Sequence, residues 1–127
     1  MKFLHSMIRV KNLEKSLDFY CNLLGLKQAR TKRLDDCILY FLEDECGAQI
    51  ELTYNDETPA EGYANGNAFG HFAFAVDSFE EFSKKLTELG YNYLYEPFDL
   101  DGKGSMIAFI TDPDGNEVEL VQHVEWD

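Results

Sequence analysis

The amino-acid sequence predicts an α+β fold in which two βαβββ modules follow one another in the chain and form a curved sheet. The first observation behind this prediction is an internal repeat, because residues 40–52 match residues 108–120 with a shift of 68 positions. A second match relates residues 4–16 to residues 70–82 with a shift of 66 positions. An amphipathic segment follows in both copies, so the same order of elements is expected twice.

Each module starts with a strand of alternating apolar residues and continues into a helix. The first helix is predicted over residues 12–25, because Asn12 is a good N-cap and a glycine ends the periodic pattern. The second is predicted over residues 77–90, with Ser78 or Asp77 as its N-cap. The apolar positions expected to face the core are Leu13, Leu17, Tyr20 and Leu24 in the first helix and Phe79, Phe82, Leu86 and Leu89 in the second.

Further strands and a linker complete the predicted modules. The strands are expected at about 37–43 and 48–54 in the first copy and at about 91–95, 105–111 and 117–123 in the second. The segment between the copies is rich in Gly, Pro, Asn and Asp, as linkers are. Because 127 residues is the size of one domain, we predict a single domain, residues 1–127, with module 1 at about 1–55, the linker at 56–69 and module 2 at about 70–127.

The composition restricts the partners and the compartment. A formal net charge of −13 at pH 7 argues against nucleic acids and anionic membrane surfaces as partners. No apolar run approaches the roughly 18–20 residues that span a bilayer, and the start of the chain is too polar for a secretion signal. The three cysteines lack the number and spacing of a disulfide framework or a cysteine zinc site. We therefore expect a cytoplasmic protein.

One basic cluster, residues 29–33, interrupts this acidic background. Such a cluster is usually a solvated loop, and that is the structure expected here. The alternative is that Lys32 or Arg33 contacts an anionic ligand.

Strand alternation places four residues of metal-binding type on one face of the predicted sheet. On the first strand of each module, His5 and His71 have the parity opposite to the apolar residues that face the helices. On the last strand of each module, Glu51 and Glu119 also lie away from the helices. Two imidazoles and two carboxylates are a mixed N/O donor set that suits Ni, Co, Mn, Fe or Zn. The repeat therefore predicts one metal site with a His and a Glu from each module.

Each of these residues also has a simpler interpretation. A single histidine on a strand is more often a hydrogen-bonded structural residue, and a single glutamate is more often solvated. The metal hypothesis therefore depends on the matching register of the two pairs. His123 and Glu117 have no histidine or acidic counterpart in module 1, so we expect them to be structural or exposed.

Four segments carry a resemblance to a known family. They are LHSMIRVKNLEKSLDFYCNLLGL (4–26), IELTYN (50–55), GHFAFAV (70–76) and IAFITDPDGNEVEL (107–120). With them the chain resembles glyoxalase I, the lactoylglutathione lyase family of the vicinal oxygen chelate (VOC) superfamily, over essentially its full length. The resemblance implies metal-dependent isomerisation of the hemithioacetal of methylglyoxal and glutathione to S-lactoylglutathione. It also implies one divalent metal ion per site, with nickel or cobalt favoured and zinc as an alternative.

The resemblance further implies roles for single residues. The implied metal ligands are His5, Glu51, His71 and Glu119. Glu119 is implied as the base that transfers the proton, while Glu51 stays a ligand or assists. The implied contacts of the glutathione moiety are Arg9, Asn55 and Lys103. Asn67 departs from the pattern, because some members have an arginine at this position.

The sequence leaves several alternatives open. We expect a homodimer, in which each site is built within one chain or between two chains. The same fold is found in metal-free small-molecule binding proteins, and other VOC metalloenzymes include an acyl-CoA epimerase or a thiol transferase. A phosphate-rich acyl-CoA would require more basic residues than this acidic chain offers. An extradiol dioxygenase is disfavoured by a fourth protein ligand.

Overall fold

The structure, a computed structural model, describes residues 1–122. The chain divides into two compact units, Met1–Ala64 and Asn65–Asp127. The elements of unit 1 are β1 (Ser6–Arg9), α1 (Leu13–Leu17), β2 (Lys27–Arg33), β3 (Cys37–Glu43) and β4 (Gln49–Asn55). The elements of unit 2 are β5 (His71–Val76), α2 (Phe79–Glu88), β6 (Tyr95–Asp99), β7 (Met106–Thr111) and β8 (Glu117–Gln122).

The two units have the same topology. The strand order is β1-β4-β3-β2 in one sheet and β5-β8-β7-β6 in the other. In each sheet the first strand lies parallel to the last, and the remaining neighbours are antiparallel. The repeat in the sequence is therefore a repeat in topology, and the predicted α+β fold of two βαβββ modules is confirmed.

The first helix begins as predicted and then widens. The side chain of Asn12 caps it by accepting a hydrogen bond of 3.1 Å from the backbone N–H of Lys15. After α1 the chain continues as a π-helical segment, Asp18–Leu23. The residues that this helical region buries are Ser16, Phe19, Tyr20 and Leu23. Of the four predicted core positions only Tyr20 is fully buried, because apolar spacing at the α-helical period does not anticipate a π turn.

The second helix agrees more closely with its prediction. Ser78 is the N-cap, and its hydroxyl accepts a hydrogen bond of 3.3 Å from the backbone N–H of Glu81. Phe79 and Leu86 are buried, whereas Leu89 is 40% exposed. The backbone N–H of Phe79 also donates to the side chain of Gln122 at 2.8 Å, which ties the start of α2 to β8.

Two of the strands differ from the prediction. The basic cluster at residues 29–33 was expected to be a solvated loop, but it belongs to β2, in which all seven residues are exposed. It is nevertheless a strand, held by its ladder with β3. β6 begins at Tyr95, where the predicted strand ends. It contains Pro97 and a register irregularity, features that are tolerated on an edge strand.

Both glutamate-bearing strands follow the same tight turn. The carboxylate of Asp44 accepts hydrogen bonds from the backbone N–H groups of Cys46 and Ala48, and Asp112 accepts the equivalent bonds two and four residues later. The turns contain Gly47 at φ +92° and Gly115 at φ +88°, a conformation that glycine adopts without strain. The turns fix the start of β4 and of β8, and with it the position of the glutamate on each strand.

The helix-facing side of each sheet is apolar. Its fully or largely buried strand residues are Ile8, Leu42, Ile50 and Leu52 in unit 1 and Ala108, Ile110, Val118 and Leu120 in unit 2. Within residues 1–122 no helix is long and apolar enough to cross a membrane. All three cysteines are free thiols. His123, and with it the end of the strand predicted over 117–123, lies outside the described residues.

Candidate metal centre

Unit 1 brings His5 and Glu51 together. His5 immediately precedes β1, and the parallel ladder sets Met7 beside Glu51 on β4. The distance from Nε2 of His5 to Oε1 of Glu51 is 3.1 Å. The glutamate side chain is 10% exposed and the histidine side chain 30%, so the nitrogen reaches a nearly buried carboxylate from a partly open position.

Unit 2 repeats this arrangement in a looser form. His71 opens β5, and the ladder sets Ala73 beside Glu119 on β8, in the same relation as Met7 to Glu51. The distance from Nε2 of His71 to Oε1 of Glu119 is 3.8 Å, and the side chains are 41% and 14% exposed. Each unit therefore holds one imidazole nitrogen against one carboxylate.

The surroundings of the two glutamates differ. The hydroxyl of Thr53 donates a hydrogen bond of 2.8 Å to Oε2 of Glu51. The residue two positions after Glu119 is Val121, which is buried and has no hydroxyl to donate. Glu51 is therefore held by a neighbour that Glu119 lacks. Sequence analysis did not single out Thr53, although comparison of the two copies shows Thr in one and Val in the other.

Arg9 and Asn55 lie on the face of unit 1 that carries Glu51. Arg9 is exposed and is the ladder partner of Thr53. The side-chain amide of Asn55 donates a hydrogen bond of 2.8 Å to the hydroxyl of Tyr63. Arg9 has the strand parity of His5, and Asn55 has that of Glu51, so this face follows from the alternation of the two strands. Their contact with a substrate stays a prediction.

Lys103 lies in unit 2, in an exposed loop between β6 and β7. Its backbone N–H donates to Oδ1 of Asp101 at 2.8 Å, and this bond is the main reason why the pKa of Asp101 lies below its usual value. The carboxylate of Asp99 orders the same loop by accepting the N–H groups of Gly102 and Gly104. Lys103 thus lies in a loop that is ordered partly by the hydrogen bond of the Lys103 backbone.

The basic cluster divides between the two faces of β2. Arg30 is the ladder partner of Phe41, which itself pairs with Glu51, so Arg30 shares the glutamate face. Arg33 pairs with Ile38 on the opposite face, where its guanidinium contacts Asp56 at 2.7 and 2.5 Å. These hydrogen bonds hold the pKa of Asp56 below its usual value. Arg33 is therefore tied to a carboxylate, and Arg30 is the residue that sequence analysis missed.

Glu117 is exposed, as predicted, and lies beside His71 in the ladder. Asn67, which stands where some relatives carry an arginine, is also exposed. Among residues 1–122, no three His, Cys, Asp or Glu side chains form a group that could hold a metal ion. Each unit contains one His–Glu pair.

Comparison with known proteins identifies the family of the chain. Residues 2–120 match the Glyoxalase/Bleomycin resistance protein/Dioxygenase superfamily. The chain belongs to this superfamily. A lactoylglutathione lyase of Neisseria meningitidis serogroup A is 39% identical over 127 residues, which cover 96% of this chain and 91% of the relative.

Solved structures of the same superfamily are similar over nearly the whole chain. Glyoxalase I of Leishmania major, described as trypanothione-dependent, is 33% identical with a TM-score of 0.77, covering 96% of this chain and 86% of that chain. Glyoxalase I of Zea mays is 31% identical with a TM-score of 0.85. The match covers 96% of this chain but only 44% of the maize chain, so the present chain spans less than half of that protein.

Each His–Glu pair, taken by itself, has the donor atoms of two ligands to the divalent metal ion that the superfamily implies. Neighbouring donors on such an ion lie about 3.0–3.4 Å apart when the metal–ligand bonds are about 2.0–2.2 Å long. The 3.1 Å separation of His5 and Glu51 has this spacing, and the 3.8 Å separation of His71 and Glu119 has to close slightly. Imidazole nitrogen with carboxylate oxygen is a donor set that nickel, cobalt and zinc accept.

Proposed function

We propose that this chain is a metal-dependent lactoylglutathione lyase that isomerises the hemithioacetal of methylglyoxal and glutathione to S-lactoylglutathione. The observation that carries the proposal is the duplicated His–Glu pair, with Nε2–Oε1 distances of 3.1 and 3.8 Å, in a chain 39% identical to a lactoylglutathione lyase. A metal-free binding protein has no need for two such pairs in matching register.

The proposed metal ligands are His5, Glu51, His71 and Glu119. We propose nickel or cobalt as the ion, with zinc as the alternative. When bound, the ion supplies positive charge that stabilises the enediolate oxygens formed as the substrate loses a proton. The protein holds the donor atoms in place. It also supplies two carboxylates, of which Glu51 is hydrogen-bonded to Thr53 and Glu119 has a valine at the equivalent position.

Glu119 is the proposed base. It takes the proton from the carbon next to the carbonyl and returns it to the neighbouring carbon, so the reaction needs no other reactant. The absence of a hydroxyl at Val121 supports this assignment, because a carboxylate without a competing donor is freer to leave its resting position and accept a proton. Glu51, held by Thr53 at 2.8 Å, is better suited to remain a ligand.

Arg9, Asn55 and Lys103 are the proposed contacts of the thiol part of the substrate. Arg9 is exposed on the glutamate face and forms no ion pair within residues 1–122, so its guanidinium is available to a carboxylate of glutathione. The amide nitrogen of Asn55 bonds Tyr63, and within residues 1–122 its side-chain oxygen accepts no hydrogen bond that would compete with a substrate. Lys103 brings a second cation from unit 2.

The direct test is an assay of the purified protein for thioester formation from methylglyoxal and glutathione, followed by ultraviolet absorbance. Chelation should abolish the activity, and nickel or cobalt should restore it more fully than zinc. Activity that survives complete metal removal would contradict the mechanism. Metal binding without thioester formation would instead favour another VOC metalloenzyme, such as an acyl-CoA epimerase or a thiol transferase.

The thiol is a separate question, because the similar Leishmania major enzyme is described as trypanothione-dependent. Hemithioacetals of glutathione and of trypanothione should therefore be compared as substrates at equal concentration. We propose glutathione, in line with the lactoylglutathione lyases that share 34–39% of their residues with this chain. A higher kcat/KM with trypanothione would overturn this choice.

We further propose a cytoplasmic homodimer. Three free thiols suit a reducing compartment, and sedimentation of the purified protein measures the assembly. A mixture of His5→Ala and His71→Ala subunits reveals how the sites are built. Activity restored on mixing would show that each site takes its two pairs from different chains, whereas no restoration in a mixed dimer would show that both pairs come from one chain.

A further inference from the structure

Each of the two histidines has the same aromatic neighbour. The ring of His5 lies 5.4 Å from the ring of Phe41, with an angle of 80° between the ring planes. The ring of His71 lies 5.4 Å from that of Phe109, with an angle of 88°. Both contacts are edge-to-face, the arrangement that aromatic rings prefer.

The two phenylalanines occupy equivalent places in the repeat. Phe41 and Phe109 are 68 positions apart, which is the shift that relates β3 to β7. Each is the ladder partner of the glutamate that faces the histidine, because Phe41 pairs with Glu51 and Phe109 with Glu119. Every unit therefore contains the same cluster of one histidine, one glutamate and one phenylalanine.

Each phenylalanine is itself supported by a side chain from the edge strand. The guanidinium carbon of Arg30 lies 3.9 Å from the centre of the Phe41 ring, and Phe41 is only 4% exposed. In unit 2 the ring of Tyr95 makes an edge contact with Phe109 at 5.8 Å. The supporting residues differ in type, yet each contacts the ring that touches the histidine.

Hydrogen bonds do not fix the orientation of the two histidine rings in the described part of the chain. A histidine that binds a metal through Nε2 is usually held by a hydrogen bond from Nδ1 to a carboxylate or a carbonyl. Within residues 1–122, neither His5 nor His71 forms a hydrogen bond through Nδ1. Their polar contacts are those of Nε2 with Glu51 and Glu119. Another contact has to fix the rotation of the ring, and the repeated phenylalanine is in place to do so.

We propose that Phe41 and Phe109 are positioning residues that hold the imidazole rings of His5 and His71 with Nε2 directed at the paired glutamate before a metal ion binds. The proposal rests on the proposed metal-binding role of the two histidines and is independent of which substrate the enzyme uses. The phenylalanines themselves contact neither metal nor substrate in this role.

The test replaces each ring with an aliphatic side chain and measures metal affinity. Phe41→Leu and Phe109→Leu keep the site apolar but remove the ring edge. The matched control is Phe72→Leu, since Phe72 is next to His71 in sequence, is half-buried like Phe109, and packs against Phe69 instead of the histidine. Phe109→Tyr, which keeps the ring, is the rescue variant. Nickel dissociation constants are measured by competition with a chelator.

We expect Phe41→Leu and Phe109→Leu each to weaken nickel binding by about tenfold or more, the range found when residues that orient metal ligands are changed. Phe109→Tyr should bind nickel nearly as tightly as the wild type, and Phe72→Leu should do the same. In the metal-free protein, the NOE contacts between the His71 imidazole and the Glu119 side chain should weaken in Phe109→Leu and persist in Phe72→Leu, a difference that loss of the ring current alone would not produce.

Two results would overturn the proposal. One is wild-type nickel affinity in both leucine variants, and the other is an equal loss in Phe72→Leu. Phe109 is half-buried, so its replacement should disturb folding less than that of the buried Phe41. If Phe41→Leu does not fold, the Phe109 variants decide the test. A wild-type protein that binds nickel but forms no S-lactoylglutathione would refute the proposed function alone, and the affinity series would still decide the role of the phenylalanines.

Discussion

The hydroxyl of Thr53 donates a 2.8 Å hydrogen bond to Glu51, and this bond has no counterpart beside Glu119. If it separates a ligand from a base, the exchange at position 53 should affect metal binding and the exchange at position 121 should affect turnover. Thr53→Val should weaken metal binding by about 10–100-fold, the cost of a hydrogen bond to a charged group, and spare kcat at saturating metal. Val121→Thr should lower kcat by giving Glu119 a competing donor. Metal titrations and turnover numbers measure both effects. If Thr53→Val lowered kcat and Val121→Thr did not, Glu51 would be the base and Glu119 the residue that stays a ligand.

Loss of one histidine should strongly weaken metal binding. His71→Ala removes one of the two imidazoles, so nickel affinity should fall by more than the 10–100-fold typical of changes to residues that only support a ligand. Metal content after dialysis and activity in added nickel give the result. His123→Ala is the matched control, because the repeat supplies no counterpart of His123 and little change is expected. Full occupancy in His71→Ala would remove this residue from the site.

Glu119 and Glu117 offer a comparison within one strand. Glu119→Gln keeps the size and an oxygen atom but removes the basicity, so kcat should fall by at least about 100-fold at saturating nickel. Glu117 is exposed, and Glu117→Gln should be nearly silent. Steady-state assays at saturating nickel keep a loss of metal affinity apart from a loss of chemistry. Near-normal turnover by Glu119→Gln would mean that another group is the base.

Arg9 should act in binding and not in proton transfer. Arg9→Ala should raise KM by about 10–100-fold with little change in kcat, because a lost ionic contact that is equally strong in substrate and transition state affects binding alone. Arg33→Ala is the control, as this arginine lies on the opposite face and is paired with Asp56. A collapsed kcat with an unchanged KM in Arg9→Ala would contradict a binding role.

The Arg33–Asp56 pair should make a stability contribution that depends on pH. The pKa of Asp56 is lowered, chiefly by the hydrogen bond from Arg33, so the folded state favours the ionised carboxylate. The contribution is therefore present above the usual aspartate pKa of 3.8 and is lost as pH falls through the lowered value. Urea unfolding should show Asp56→Asn less stable than the wild type at neutral pH, with the difference shrinking in acid. Because both side chains are exposed, the effect should be small.

Alternation and repetition together predicted most of the fold and the placement of Glu51 and Glu119 on the face away from the helices. Both signals fail where a strand has no apolar side. β2 is polar apart from Ala29 and forms because it pairs with β3, a tertiary cause that no local pattern reveals. The π turn in the first helix is a similar case, since apolar spacing carries no mark of an inserted residue.

The site was predictable to the level of residue type and face but not of contact. Strand parity placed Glu119, and not Val118, on the face away from the helices. The repeat favoured Glu119 over Glu117 as a ligand, because only Glu119 has an acidic counterpart in module 1. Neither could show that Arg33 is tied to Asp56 while Arg30 covers the ring of Phe41, because both contacts depend on residues that the fold brings beside β2. Neither could assign Phe41 and Phe109 a contact, although both copies carry the residue.

The identical strand orders of the two units bear on how such a chain can evolve. If a site were assembled from two copies of one short module, every mutation would alter both glutamates and both of their neighbours together. Joining the copies in a single gene removes that constraint, so that position 53 can keep a threonine while position 121 carries a valine. Selection can then change the surroundings of Glu51 without changing those of Glu119.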